Sequence, residues 1–463
     1  MLSICWLLAA CGSDGEGVGT TRGCDPLGSA VVADGRTDNT VAIQNAIDSC
    51  AMSGGGQVRL GLAGAAAGAV YVTGPIQLKS HVHLIIDGGV TLQAIATHSR
   101  YEPAFINWVY RPNEALISAK GATDVGISGS GTIDGGGDLP DPQDGGRTWH
   151  DVGAADSPTL KSTRPWVIEF YQCDHVTITG VTIQNQPYWV QALRYSRDIL
   201  ESGVTINGIG RNSDGVDLVG VTNATITNMD IRDSDDYIAV KSGLPISPND
   251  YYYEREIGLP EMPTSHVRIS NITARDGQGI SIGSEAVNGV HDVVIENVTI
   301  SNTHGGFRIK TGRDRGGDIY DIHVKNFVAN GGDTPLEIYS YYSALGDDAG
   351  GPIFPVTPLT PRVHDIYIQD FAANDTGGRS YIRGLPEACI RNVVLNDVNI
   401  QSNGYGFELL NVTGAFTNLV VTADLPPTYT VKQNVNVTSF GTTPPFEHTA
   451  PRMGEPACEE TGH

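Results

Sequence analysis

Eight stretches of this chain share one pattern, in which aliphatic or β-branched residues alternate with polar ones and are punctuated by Asn, Asp or Gly. They read VTITGVTIQN from Val176, ILESGVTING from Ile199, ATITNMDIRD from Ala224, VRISNITARD from Val267, VVIENVTISN from Val293, IHVKNFVAN from Ile322, IYIQDFAAND from Ile366 and VVLNDVNIQS from Val393. A period of two puts alternate side chains on one buried face and predicts strands. Successive copies begin about 23 to 29 residues apart, or about 44 where an insertion intervenes, which is the range of solenoid repeats. A propeller would show a blade motif of several strands at ~40 to 50 residues. The expectation is therefore an all-β solenoid whose strands stack in parallel from coil to coil and bury a continuous apolar column. The recurring Asn residues are read as corner residues and side-chain ladders, because Asn tolerates the left-handed conformation that tight corners need.

Before the repeats begin, the period changes. Ile43, Ala46, Ile47 and Cys50 fall at i, i+3, i+4 and i+7. That spacing predicts one short amphipathic helix, capped by Asp38 or Thr37, stopped by Gly54 to Gly56 and closing one end of the solenoid. The expected organisation is a signal segment over 1–11, a tether over 12–23, the solenoid over 24–440 and a tail over 441–463. Leu8-Ala9-Ala10-Cys11 resembles a bacterial lipobox, which implies acylation of Cys11 and a secreted or cell-surface protein held at the outer membrane, with plain secretion and an uncleaved chance match as the other readings. No other apolar stretch approaches the ~18 residues of a membrane span.

Composition narrows the function. With 52 acidic and 29 basic residues the formal charge is -23, which disfavours nonspecific contact with nucleic acid or an anionic membrane surface. Once Cys5 and Cys11 are set aside, Cys24, Cys50, Cys173, Cys389 and Cys458 remain, enough for two disulfides and one free thiol. Cys24 with Cys50 is the expected pair, since both flank one N-terminal unit and export leads to an oxidising compartment. Cys173 reads as a buried apolar residue.

Three segments break the monotony of the repeats: Asn212-Ser213-Asp214, then Asp235-Asp236, then Arg308-Ile309-Lys310. Asp214 and Asp235 are 21 residues apart, close to one coil, so their carboxyls can meet in one cleft. Asp235 and Asp236 are consecutive, and both reach one site only where the strand ends or bulges. Arg308 and Lys310 alternate and so share a face.

Together with Gly277-Gln278-Gly279, these segments resemble the motifs of the polygalacturonases of glycoside hydrolase family 28, in order and in spacing. Weaker likeness runs from about Val31 to Val421, through GGGQVRL at Gly54, GPIQLKSHVHL at Gly74, GTIDGGG at Gly131 and QPYW at Gln186. The resemblance implies a single right-handed parallel β-helix that hydrolyses α-1,4-galacturonosyl linkages of pectin with inversion. No cofactor or metal ion is needed. Asp235 would be the general acid, while Asp214 and Asp236 position and deprotonate water. In an inverting arrangement the acid and base stand ~6.5 to 9.5 Å apart. Asn212, Gln278, Arg308, Lys310 and Tyr342 are the implied substrate-binding residues, with Arg308 and Lys310 on the uronate carboxylate. Such a site must be a cationic island in a negative field. Arg313 and Arg315 extend that island or merely decorate the surface.

Two residues depart from the family pattern: Gln278 stands where the family has histidine, and Ala192 where a second histidine is often found. His304, near Arg308, is read either as a cleft residue or, as is more usual for a lone loop histidine, as a solvated one. KSG after the Asp pair and GSE at Gly283 resemble exo-acting bacterial members, and insertions near 244–262 and 343–362 could wall off one end of a cleft. Hydrolysis of rhamnogalacturonan or xylogalacturonan, a non-catalytic pectin-binding surface protein, and a lyase are the competing readings. The expected partner is an acidic plant polysaccharide, bound by a monomer.

Overall fold

The structure is a computed structural model that describes Cys24, Leu27 and residues 31–458, apart from 62–67, 103–112, 156–162, 209, 244–259, 343–350, 446, 452 and 455. Cys11, the tether over 12–23 and most of both insertions lie outside the described residues.

The chain winds into a right-handed parallel β-helix in which each coil contributes strands to stacked columns. One coil shows the unit: Gln191–Arg194, Arg197–Ser202 and Thr205–Asn207. Each strand pairs in parallel with its counterpart one coil on. The starts of all eight sequence repeats fall in one register column, from Val176 through Ile199, Ala224, Val267, Val293, Ile322 and Ile366 to Val393. Alternation thus does what it predicts, since one apolar residue lies directly on the next and the inner column is buried. Phe327 on Phe371, 5.1 Å between centroids, is one such step.

The corners carry the Asn residues. Asn228, Asn271, Asn297 and Asn326 all have φ between 51° and 56°. Their amides form a ladder at 3.1, 3.2 and 2.8 Å, so each left-handed corner is tied to the next.

A helix, α1 (Thr40–Met52), covers the N-terminal end with Ile43, Ile47 and Cys50 buried. Its N-cap is Asn39 rather than Asp38 or Thr37. Asn39 is buried and its amide ties together Val32, Thr37 and Val72, a tertiary task, while Asp38 accepts the Thr40 N–H at 3.0 Å from outside the cap. Gly54 to Gly56 follow the helix with positive φ, as expected. Cys24 and Cys50 form a disulfide, and a second joins Cys389 to Cys458, bringing the C-terminal tail back onto the last coils. Cys173 is free and buried, and burial pushes its thiol up to about 11.

Candidate active site

One column of strands bears the site: Gln191–Arg194, Val216–Val219, Ile238–Lys241, Ile280–Gly283, Gly305–Lys310, Thr334–Tyr339 and Ser380–Arg383. Its inner positions are mostly aliphatic or aromatic, with Gln191 and Ser380 as polar exceptions. Its outer positions carry most of the charged residues, and one register line runs Ala192, Asp217, Ala239, Ser281, Arg308, Glu337.

Asp214, Asp235 and Asp236 stand in the corners that lead into this column. The strand Thr222–Arg232 ends before the Asp pair and the next begins at Ile238, so consecutive aspartates escape strict alternation and both reach the cleft. One carboxylate oxygen from each of the three lies within 4.8 Å of the others. That is tighter than the ~6.5 to 9.5 Å expected for an inverting pair. Coil stacking is the cause. The Gly215 N–H donates to the Asp236 carbonyl at 2.9 Å, which locks the two corners one interstrand spacing apart.

Each carboxyl has a different environment. Asp236 is buried and held on both oxygens: Ser281 Oγ donates to Oδ1 at 2.7 Å, Arg308 to Oδ1 at 3.3 Å, and Lys310 Nζ to Oδ2 at 2.6 Å. Burial alone would raise its pKa, but Lys310 and Arg308 outweigh it and keep the group ionised below the usual carboxylate range. Asp235 has no such cation in contact among the described residues. Burial, with the charges of Asp214 and Asp236, pushes it up to about 8, so at neutral pH it carries a proton. Asp214 is raised by burial, against which Lys241 works through a 3.2 Å contact to Oδ2.

Lys241 is a residue the sequence reading did not place in the site. Its side chain is 4% exposed, and its Nζ lies 2.5 Å from Asp217 Oδ1, 3.8 Å from Glu285 Oε2 and 4.0 Å from the centre of the Trp189 ring. Three carboxylates around one ammonium leave surplus negative charge. Burial and Asp214 drive Asp217 well above the usual range, whereas Lys241 and Arg315 hold Glu285 low. A signal existed, in that Lys241 ends an otherwise apolar strand at an outward position one coil above Val219 and beside Asp217.

The remaining expected residues divide. Arg308 and Lys310 share the outer face as alternation requires, and Arg308 also donates to Glu337 at 2.7 Å. Gln278 reaches the cluster through Arg308, whose guanidinium donates to both the Gln278 side-chain oxygen and its backbone carbonyl at 3.3 Å. Tyr342 is exposed, with Lys310 and Arg315 each 5.7 Å from its ring centre. Asn212 lies one layer back, where its side-chain oxygen accepts from Arg164 at 3.3 Å; Arg164 also holds the Pro187 and Arg211 carbonyls. Arg313 turns away to Glu387, 2.5 Å, and to the Phe354 ring. His304 is exposed and paired with Asp333 at 2.7 Å, outside the cluster. Ala192 is packed among Trp166, Tyr188, Trp189 and Tyr195, an aromatic wall beside Asp217.

Such a cluster combines a protonated carboxyl, two further carboxylates with dedicated cations, and an adjoining aromatic wall. Comparison with known proteins agrees with it. Residues 58–420 match the sequence profile of glycosyl hydrolases family 28. A probable polygalacturonase of Vitis vinifera is 30% identical over 387 residues, covering 80% of this chain and 72% of that protein. An endo-polygalacturonase of Pectobacterium carotovorum subsp. carotovorum is 29% identical over 311 residues, covering 65% and 72%. Among solved structures, the polygalacturonase from Erwinia carotovora ssp. carotovora superposes with a TM-score of 0.65 at 26% identity, covering 88% of this chain and 95% of that one.

Proposed function

The chain belongs to the glycosyl hydrolases of family 28, and on that premise we propose that it hydrolyses α-1,4-galacturonosyl linkages of polygalacturonate. The observation that carries the proposal is the division of labour within one triad: Asp235 is protonated at neutral pH while Asp236, clamped by Lys310 and Arg308, is ionised. An acid and a base held in opposite states a few ångströms apart are what general acid–base hydrolysis requires. In this mechanism Asp235 protonates the departing glycosidic oxygen. Asp214 and Asp236 accept hydrogen bonds from the attacking water and take its proton. Arg308 and Lys310 offer the positive charge that a galacturonate carboxylate needs at the cleavage point. Release of reducing sugar from polygalacturonate, but not from a neutral glucan, tests the reading; equal hydrolysis of both would overturn it.

The mode of attack in this proposal is exo. KSG at Lys241 and GSE at Gly283 support it, as does the length of the two insertions. An exo enzyme releases mono- or disaccharide from the outset with little fall in viscosity, whereas rapid viscosity loss at low hydrolysis would mean endo attack. Export to an oxidising compartment belongs to the same reading, supported by the disulfides Cys24–Cys50 and Cys389–Cys458.

A further inference from the structure

The outer face of the site-bearing column continues past the aspartates into the last coils. One register line runs Arg308, Glu337, Tyr381, Glu408 and its neighbour Lys310, Tyr339, Arg383. Arg383 therefore lies on the same face as Lys310, two interstrand spacings or about 10 Å further along the axis.

Glu408 is wholly buried and gathers three cations: Arg383 Nε at 2.7 Å, Arg379 at 2.9 Å and Lys432 Nζ at 3.0 Å. A single carboxylate balances one positive charge, so two remain in excess, in a chain whose formal charge is -23. Burial would raise the Glu408 carboxyl, but the contacts with Arg383 and Lys432 hold it below its ordinary range, so it stays an anion that fixes them. Exposure separates anchor from surface: the carboxylate is 0% exposed, the side chains of Arg379, Arg383 and Lys432 between 25% and 37%. Aromatic rings stand beside the cations. Arg383 lies 4.1 Å from the centre of the Tyr381 ring and Arg379 4.7 Å from that of Tyr405, itself 45% exposed. Positive charge next to an open aromatic surface suits a sugar that bears a carboxylate.

We infer that Arg379, Arg383 and Lys432, fixed around Glu408, form a distal subsite for a uronate carboxylate of a chain that leaves the catalytic cleft toward the C-terminal coils. This rests on the uronate-polymer reading above and adds the direction in which the polymer runs. Only substrates several sugars long reach the subsite, so it raises affinity for polymer without touching the chemistry.

The test compares wild type with the double variant Arg379→Gln/Lys432→Gln on polygalacturonate and on digalacturonate. The expected result is a KM for polymer about tenfold higher, the scale of losing charge-assisted hydrogen bonds, with kcat and the digalacturonate kinetics unchanged. The dependence of the polymer KM on salt should also weaken. Lys432→Gln alone, at the most exposed of the three positions, serves if the double variant does not fold and should raise the polymer KM about threefold. An unchanged polymer KM in a folded variant overturns the subsite while leaving the activity standing. A wild type inactive on both substrates overturns the substrate reading, and the subsite with it.

Discussion

Lys310 Nζ lies 2.6 Å from Asp236 Oδ2, while Asp235, the adjacent residue in the chain, meets no cation at hydrogen-bond distance among the described residues. This difference sorts two neighbouring carboxyls into base and acid. It comes from the corner before Ile238, which turns Asp236 toward the Gly305–Lys310 strand and leaves Asp235 at the rim.

Replacing the acid should separate chemistry from folding. Asp235→Asn is expected to lower kcat by ~100-fold or more, the usual worth of a positioned general acid. A carboxyl raised to about 8 in the folded state opposes folding increasingly as pH climbs from its unfolded value toward 8. The neutral amide escapes that cost, so Asp235→Asn should melt at a higher temperature than wild type at pH 8 to 9 and at a similar one near pH 4. Calorimetry at the two pH values, beside the kinetics, checks both.

The pH profile of kcat/KM should fall on the alkaline side as Asp235 loses its proton near pH 8, and on the acid side as Asp214 and Asp236 gain theirs. Lys241→Met removes the ammonium beside Asp214 and so shifts the acid limb to higher pH, with kcat falling more than KM rises. A folded Lys241→Met enzyme with the wild-type acid limb would show that Asp214 does not depend on this lysine.

Gln278 does not titrate; its backbone N–H donates to the Asp235 carbonyl at 2.8 Å, and its side-chain oxygen is joined to the triad through Arg308. Gln278→His should therefore add a limb between about pH 5.5 and 7.5, where an ordinary imidazole titrates, and should alter turnover more than substrate binding. Identical profiles for the two proteins would place Gln278 outside the proton-transfer network.

Stereochemistry is open to direct test because the triad is compact. Oxygens within 4.8 Å are nearer to the ~5 to 5.5 Å of retaining enzymes than to the inverting range. Yet Asp236 has both oxygens committed to Ser281, Arg308 and Lys310, which makes it a poor nucleophile. Inversion is the expected outcome, seen by proton NMR of the first product formed. A retained anomer would make Asp214 or Asp236 a covalent participant.

The fold is legible from the residues alone, because a β-helix is local: alternation fixes which face of each strand is buried, and the repeat length fixes what lies above it. Val176 to Val393 therefore fell into one column, and Asn228 to Asn326 into one ladder, without any long-range information. The motif residues Asp214, Asp235, Asp236, Arg308 and Lys310 were legible because they gather charge beside the strands of neighbouring coils in a repeat otherwise poor in it. How they are paired is a matter of contacts between coils. Lys241 on Asp214, Gln278 on Arg308, Arg313 diverted to Glu387 and Asn39 taken from its cap to hold Val32 and Val72 all depend on where a side chain points from a corner or an outer face. Nothing periodic specifies those directions. Apart from the Asn39–Val32 contact, they follow from contacts between residues 20 to 80 apart in the chain, and so does the short spacing of the triad, which the hydrogen-bonded stacking of two corners imposes.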